Sequence, residues 1–399
     1  MYPNNRRMQN LSRDFPSDII ADILYQLPVK TLVRFRCVSK RWCSQINGPD
    51  FVQRHLSHSL ATKSNLSLIL KDWYLYSADF DSLTIATELI PPLNVIWGIS
   101  EFFGSCDGLV ALCNSEEDMA LWNPSTRKYQ RLPIMPVEKP SGDVKPRRFP
   151  FHGFGRDLIN DDYKVVRMVQ FLSQDADDGF FSSDVKVYSL KSNSWRVVKN
   201  LPNYLCLMFR LDYLLFYRRG NGVFASGAVH WVVPRGIGWS CLIVAFDFGV
   251  EEFRLVTLPD PVDDGFELDL GVFEGCLCML CNYNNAYVDV WVMKEYGSKE
   301  SWSKLFSISQ SSLNRSFGHV TPLVYSKCRD KVLLEVDKKK LLWYDFSRRR
   351  SKRVRIEGAP SSFSADILVG SLVPLSGGGM DRMAQHPEEE KKKSNRKQR

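Results

Sequence analysis

The spacing of apolar residues changes once along this chain of 399 residues. In the first part Ile19, Ile20, Ile23, Leu24 and Leu27 recur at helical intervals and define one apolar stripe. From about Leu66 onward the apolar runs become short and alternating, separated by Gly, Asn, Asp and Pro. That pattern predicts many short strands and few helices.

Within the helical part, Pro16 fits a first helical turn, where its missing N–H costs nothing, and Asp14 is a candidate cap. Leu27-Pro28 ends that helix, because proline biases the residue before it away from helical angles. Val29-Lys30-Thr31-Leu32 opens a second helix carrying Leu32, Val33 and Phe35. A third segment, Val38 to Ile46, places Val38, Trp42 and Ile46 on one face. Asn47-Gly48-Pro49 breaks it, and Asp50-Phe51-Val52 starts another short helix reaching about Leu56. Short helices in so few residues bury little surface alone. Their leftover apolar residues either dock on a partner or pack the module onto the larger domain.

The strand-rich part predicts strands at Leu66–Leu70, Trp73–Tyr76, Lys164–Val169, Val185–Leu190, Leu242–Phe248, Val288–Val292 and Lys331–Val336. A loose repeat runs through it. Trp122-Asn123-Pro124-Ser125-Thr126-Arg127-Lys128-Tyr129, Tyr188–Trp195, Phe246–Phe253, Val292–Trp302 and Tyr344–Ile356 each read as strand, polar turn and a returning strand. Gly-led strands precede most copies. A period of several strands over some 50–60 residues is propeller-like, because a lone hairpin leaves an apolar face that needs a neighbour. Five copies plus the strands near residues 66–90 predict about six blades. The Phe363–Val373 run is the candidate strand that closes the ring and removes its free edges. A β-sandwich array is the competing architecture.

Composition changes this picture little. Apolar residues at 44% and charged residues at 25% are ordinary for a soluble globular chain. No apolar run is long enough for a membrane-spanning helix, and Met1–Arg7 lacks the apolar core of a signal peptide, so an intracellular protein is expected. Most of the ten cysteines sit in apolar runs, where a reduced thiol acts as a small hydrophobe. The net charge of +8 is concentrated: six basic residues and no acid lie in Ser347–Arg355, and the tail from Ser376 adds seven basic against four acidic residues. Charge held in one patch and one tail, rather than spread over a folded face, argues against a nucleic-acid domain. The patch reads first as a solvated turn and strand edge, with an acidic target surface or a nuclear importer as the other readings.

No catalytic constellation emerges. Cys276 and Cys278 face one side of a strand and Cys281 the other, so they do not converge as zinc ligands. His230 lies in the apolar run Ala228–Val233 and reads as a core or edge histidine. No G-x-S-x-G elbow, phosphate loop or H-E-x-x-H occurs. Trp122, Trp195, Trp231, Trp291, Trp302 and Trp343 read as blade-packing aromatics rather than ligand anchors. No cofactor and no metal is expected.

The run from Phe15-Pro16 through Asp18-Ile19-Ile20, Leu27-Pro28-Val29-Lys30-Thr31-Leu32 and Arg36-Cys37-Val38-Ser39-Lys40 to Trp42 resembles a plant F-box, with Phe15 where leucine is commoner. The rest resembles the plant F-box-associated domain, often grouped with kelch-type repeats. The motifs are Phe103-Gly104-Ser105-Cys106-Asp107-Gly108, Trp122-Asn123-Pro124-Ser125-Thr126-Arg127, Gly153-Phe154-Gly155, Asp161-Asp162-Tyr163-Lys164-Val165-Val166 and Gly227-Ala228-Val229-His230-Trp231. The resemblance implies a mainly β chain: a three-helix F-box at 12–56, then a β-propeller-like domain of about six blades at 66–375. Disordered segments at 1–11 and 376–399 flank them. It further implies that the F-box binds a Skp-type adaptor, and through it a cullin and a ring-type subunit of a ubiquitin ligase, while the β domain recruits a target. Phe15, Pro16, Ile19, Ile23, Leu24, Leu27, Pro28, Leu32, Val38 and Trp42 are then the candidates for the adaptor interface and the module's small core. Val288–Tyr296 and Pro322–Lys327 resemble members that act on intracellular immune receptors of the NLR type, and the implied localisation is cytoplasm and nucleus. A non-ligase scaffold binding a protein or small ligand is the alternative, and a propeller enzyme a third reading.

Overall fold

A computed structural model describes residues 17–93, 101–115, 117–138, 147–172, 181–198, 220–234, 241–259, 265–313 and 316–375. Four helices open it: α1 (Ser17–Tyr25), α2 (Val29–Phe35), α3 (Lys40–Asn47) and α4 (Pro49–Thr62). Pro28 separates α1 from α2, as its chemistry requires. The Ser39 hydroxyl accepts from the Trp42 N–H at 3.1 Å and caps α3, so this helix starts two residues beyond Val38. Val38 therefore lies in the preceding turn, 62% exposed, while Ile46 is fully buried, and the expected shared face of Val38, Trp42 and Ile46 does not form. Pro49 occupies the first turn of α4, which runs past Leu56 to Thr62 because Val52, His55, Leu56 and Ser59 continue one buried face.

The strands that follow make six four-stranded antiparallel sheets. Blade 2 holds β4 (Glu101–Cys106), β5 (Leu109–Cys113), β6 (Met119–Asn123) and β7 (Lys128–Arg131). Blade 3 holds β8 (Arg147–Asp157), β9 (Asp162–Leu172), β10 (Phe181–Ser189) and β11 (Ser194–Val197). Blade 4 comprises β12 (Val223–Ala225), β13 (Ala228–Pro234), β14 (Cys241–Asp247) and β15 (Glu252–Val256), and blade 5 β16 (Glu267–Phe273), β17 (Cys276–Tyr283), β18 (Tyr287–Met293) and β19 (Trp302–Ser309). Blade 6 is β20 (Val320–Tyr325), β21 (Lys331–Val336), β22 (Lys340–Asp345) and β23 (Arg350–Val354). Blade 1 joins both ends of the domain: β1 (Leu66–Lys71), β2 (Leu75–Asp79) and β3 (Ala86–Leu89) receive β24 (Ser364–Val369) as their innermost strand, with Leu66 opposite Val369. The predicted ring closure holds over these six residues. Trp73 and Tyr74, expected in a strand, instead form the β1–β2 turn.

The sequence repeat is the outer hairpin of each blade. Trp122 lies opposite Tyr129, Tyr188 opposite Trp195 and Phe246 opposite Phe253, so the outer hairpins of blades 2, 3 and 4 carry one aromatic cross-strand pair each, while Trp302 faces Met293 in blade 5 and Tyr344 faces Ser351 in blade 6. The turns share a mechanism as well. The Asn123 carbonyl oxygen accepts from the amides of Ser125 and Thr126, and Asp247 and Asp345 cap their own turns in the same way. The indole N–H groups then staple blades together, Trp195 to the Pro133 carbonyl at 2.7 Å and Trp302 to the Thr257 carbonyl at 3.0 Å. Cys278 and Cys281 point into different apolar clusters on opposite faces of β17.

Glycine marks the closest approach of two blades. A Cβ at Gly155 would lie 2.0 Å from the Phe224 ring, and one at Gly153 would lie 2.5 Å from Val229 Cγ1. The Gly-Phe-Gly motif is therefore the seat of blade 4 against the inner strand of blade 3.

Candidate functional site

The helical module sits on the propeller face where β1 begins and β24 ends. Leu24, Val29, Leu32, Ile46, Phe51, Val52 and Leu56 share one buried cluster with Leu66, Leu372, Val373 and Leu375. Polar bonds fix the seam. Asn65 donates through Nδ2 to Ser59 Oγ at 2.9 Å and accepts from the Gly370 amide at 2.7 Å through its carbonyl. At the end of α4 the Lys63 ammonium lies 2.7 Å from Glu274 in the β16–β17 turn of blade 5. On the other side Arg156 of blade 3 reaches Asp107 of blade 2 at 3.3 Å and Gln53 of α4 at 3.5 Å.

The Asp-Asp-Tyr-Lys motif serves this same face. Asp161 pairs with Arg156, Asp162 accepts from the Ser189 hydroxyl and the Lys191 amide, and the Tyr163 hydroxyl donates to Asp107 at 3.0 Å. Lys164, almost fully buried, bridges Asp157 at 2.7 Å and Glu251 of blade 4 at 2.8 Å. Burial alone would raise the Asp157 carboxyl, but the Lys164 ammonium and the turn amides hold it down at about 2. These charged motif residues lock blades 2, 3 and 4 to one another. They are structural, as is His230, whose ring nitrogens lie 3.1 Å from the Val223 carbonyl and 2.6 Å from the Tyr296 hydroxyl. Burial pushes its imidazole down to about 4.

The candidate interface residues divide into two groups. Leu24 and Leu32 are buried at 1% and 0% exposure and belong to the module's own core. Ile19, Ile23 and Val38 are 48%, 55% and 62% exposed, and Pro28 is exposed beside them in sequence. Leu27 and Trp42 are half-buried, Trp42 resting against Phe35 with ring centroids 5.3 Å apart. Phe15 and Pro16, with the candidate cap Asp14, lie outside the described residues.

The sequence reading missed His55, which holds the α1–α2 corner. It is fully buried, its Nε2 lies 3.0 Å from the Leu27 carbonyl, and burial lowers its pKa. Its signal was the spacing Phe51, His55 and Ser59, one residue per turn. Tyr25 stacks on Phe51 at 4.7 Å and completes that corner.

The opposite face presents other apolar groups: Trp73 and Tyr74 at the β1–β2 turn are 65% and 62% exposed, Ile90 81% and Ile134 76%. Among the described residues Trp73 is the exposed tryptophan; Trp122, Trp231 and Trp302 are buried, and Trp195, Trp291 and Trp343 partly so.

Comparison with known proteins agrees with this division of the chain. Residues 13–54 match the F-box domain, and residues 65–368 match the F-box associated beta propeller domain. The chain belongs to the F-box proteins that carry this propeller. An F-box protein of Arabidopsis thaliana, CPR1, is 43% identical over 387 residues, covering 95% of this chain and 93% of that protein. The F-box protein At4g22390 of the same plant is 38% identical, covering 90% of each chain. The F-box/kelch-repeat protein At3g23880 is 31% identical over 74% of this chain and 79% of its own length. Within the box, Ile19, Ile23, Pro28 and Val38 are apolar residues that stay exposed.

Proposed function

We propose that this chain is the substrate-receptor subunit of a Skp–cullin–F-box ubiquitin ligase. Its F-box docks on the Skp-type adaptor, and its propeller presents a target protein to the ligase. Thioester-to-lysine transfer belongs to other subunits. This chain supplies proximity, holding the target near the charged conjugating enzyme and so raising effective concentration. The observation that carries the reading is the F-box itself: its core shares one buried cluster with the propeller, while Ile19, Ile23 and Val38 stay exposed. Apolar side chains held open on a rigid helical module are the usual core of a protein–protein interface.

In this reading the target meets the far face, where Trp73, Tyr74, Ile90 and Ile134 are exposed. An intracellular immune receptor is the target class offered by the family resemblance, and cytoplasm and nucleus are the matching compartments.

The test is co-purification with a Skp-type adaptor. The full-length chain should retain the adaptor, and Ile23→Glu with Val38→Glu should lose it at unchanged thermal stability. Equal recovery of both forms, or of neither, would overturn the adaptor role and leave a scaffold without a ligase.

A further inference from the structure

The outer edge of blade 6 differs from its counterparts. Strand β23 ends the order β20-β21-β22-β23 and pairs with β22 alone. Arg348, Arg349, Arg350, Lys352, Arg353 and Arg355 on this turn and strand are all exposed. Of the six, Arg348 alone forms an ion pair among the described residues, with Asp345 at 3.8 Å. Three outer strands elsewhere pair a cation, whereas Lys128 and Arg131 of β7 are exposed and form no ion pair among the described residues. Arg196 of β11 pairs with Glu251, Arg254 of β15 with Asp247 at 3.3 Å, and Lys304 of β19 with Asp289 at 3.2 Å. One or two charges are enough to keep a short edge from pairing with another copy. Five, left without carboxylates among the described residues, exceed that need.

We propose that this edge binds an extended acidic segment of a partner protein as an added strand. Arg350 and Lys352 project from one face of the sheet and Arg353 from the other, because side chains alternate along a strand, and Arg355 follows just beyond its end. Cations two residues apart stand about 7 Å from one another, the spacing of alternate side chains on a paired extended chain. The open backbone edge supplies affinity, and the cations supply sign selectivity. Single-stranded nucleic acid fits less well, because Ser347–Arg355 offers no aromatic ring for base stacking. Nor is the run a loose peptide for another protein's groove, since residues 350–354 are already paired to β22. This inference does not rest on the ligase reading, and its test needs no adaptor.

The experiment is fluorescence anisotropy with the full-length protein and defined probes. These are a labelled peptide alternating Glu and Thr, its Lys–Thr counterpart, an acidic peptide with proline at alternate positions, and oligo-dT. The Glu–Thr peptide should bind, weaken as salt is raised, and lose about tenfold in affinity against Arg350→Glu/Lys352→Glu/Arg353→Glu. The proline peptide, which cannot donate along a strand, should bind about tenfold more weakly, and the Lys–Thr peptide should not bind. Should the triple reversal unfold, the Gln triple variant takes its place, with an intermediate loss expected. Equal affinity for the proline peptide would overturn strand addition. Indifference to the substitutions, or oligo-dT binding as tightly as the acidic peptide, would overturn the proposal entirely.

Discussion

Asn123 donates through Nδ2 to the main-chain carbonyl of Ser371 at 3.2 Å, and to that of Val373 at 2.9 Å, across almost 250 positions of chain. One side chain thus does two jobs: its oxygen shapes the β6–β7 turn, and its nitrogen clamps the segment that leaves the closing strand. Replacing Asn123 with Ala leaves two buried carbonyls without donors and the turn without its cap. The expected cost is about 2–4 kcal/mol in urea unfolding. Asn123→Asp keeps the turn acceptor but sets a carboxylate against the two carbonyls, and should be no more stable than the Ala variant. Hydrogen exchange should rise first in residues 370–375.

Exposure sorts the F-box stripe into separable phenotypes. Leu32→Ala removes a fully buried side chain and should lower unfolding free energy by about 2–4 kcal/mol. Ile23→Ala, at a position already 55% exposed, should cost under about 1 kcal/mol while weakening adaptor binding at least tenfold. Calorimetry and adaptor titration on the two variants read these effects independently.

The carboxyl of Glu335 gives the ring closure a pH signature. It is buried in blade 6 and accepts from the Ala365 amide of β24 at 2.5 Å. Burial raises its pKa from the ordinary 4.5 to about 7, against the opposing pull of that amide and of Lys71. Between these values the folded state binds more protons than the unfolded one, so stability declines as pH rises from about 4.5 through 7 and levels off above. The full effect is on the order of 3 kcal/mol. Glu335→Gln should flatten this slope and match the parent near pH 5. Thermal melts from pH 5 to 8.5 decide it, and a slope unchanged in the variant would assign the dependence to other groups.

Gly155→Ala tests the seat between blades 3 and 4. Its methyl would stand 2.0 Å from Phe224, so the ring or the strand must move, and a loss of about 1–3 kcal/mol is expected. Pairing it with Phe224→Leu should restore part of the loss if the clash with that ring is the cause.

Much of the fold was legible in the chain because its signals are local. Aromatic pairs flanking a four-residue turn announce the outer hairpins of blades 2, 3 and 4, and the recurrence of strand, polar turn and strand announces the ring. The F-box stripe was legible for the same reason. What sequence could not separate was Leu24 from Ile23: both lie on one apolar stripe, and only the way the helices pack on one another buries one and leaves the other open. Asp107, Tyr163 and Lys164 look like surface chemistry in sequence, because their partners come from other blades. Val38 was misplaced because the cap of Ser39 was not weighed against the apolar spacing. The open edge of β23 was visible as charge but not as geometry, since whether a cation is balanced depends on turns far away.

The sharing of blade 1 between residues 66–89 and 364–369 imposes an order on synthesis. Strand β1 emerges from the ribosome early and keeps a bare inner edge until nearly three hundred further residues have been made. A message ending between Val354 and Ser364 would leave the F-box on an open ring, with β1 bare toward other chains. Only a copy translated through Val369 hides that edge, so the last strand acts as a proof of completeness for the propeller.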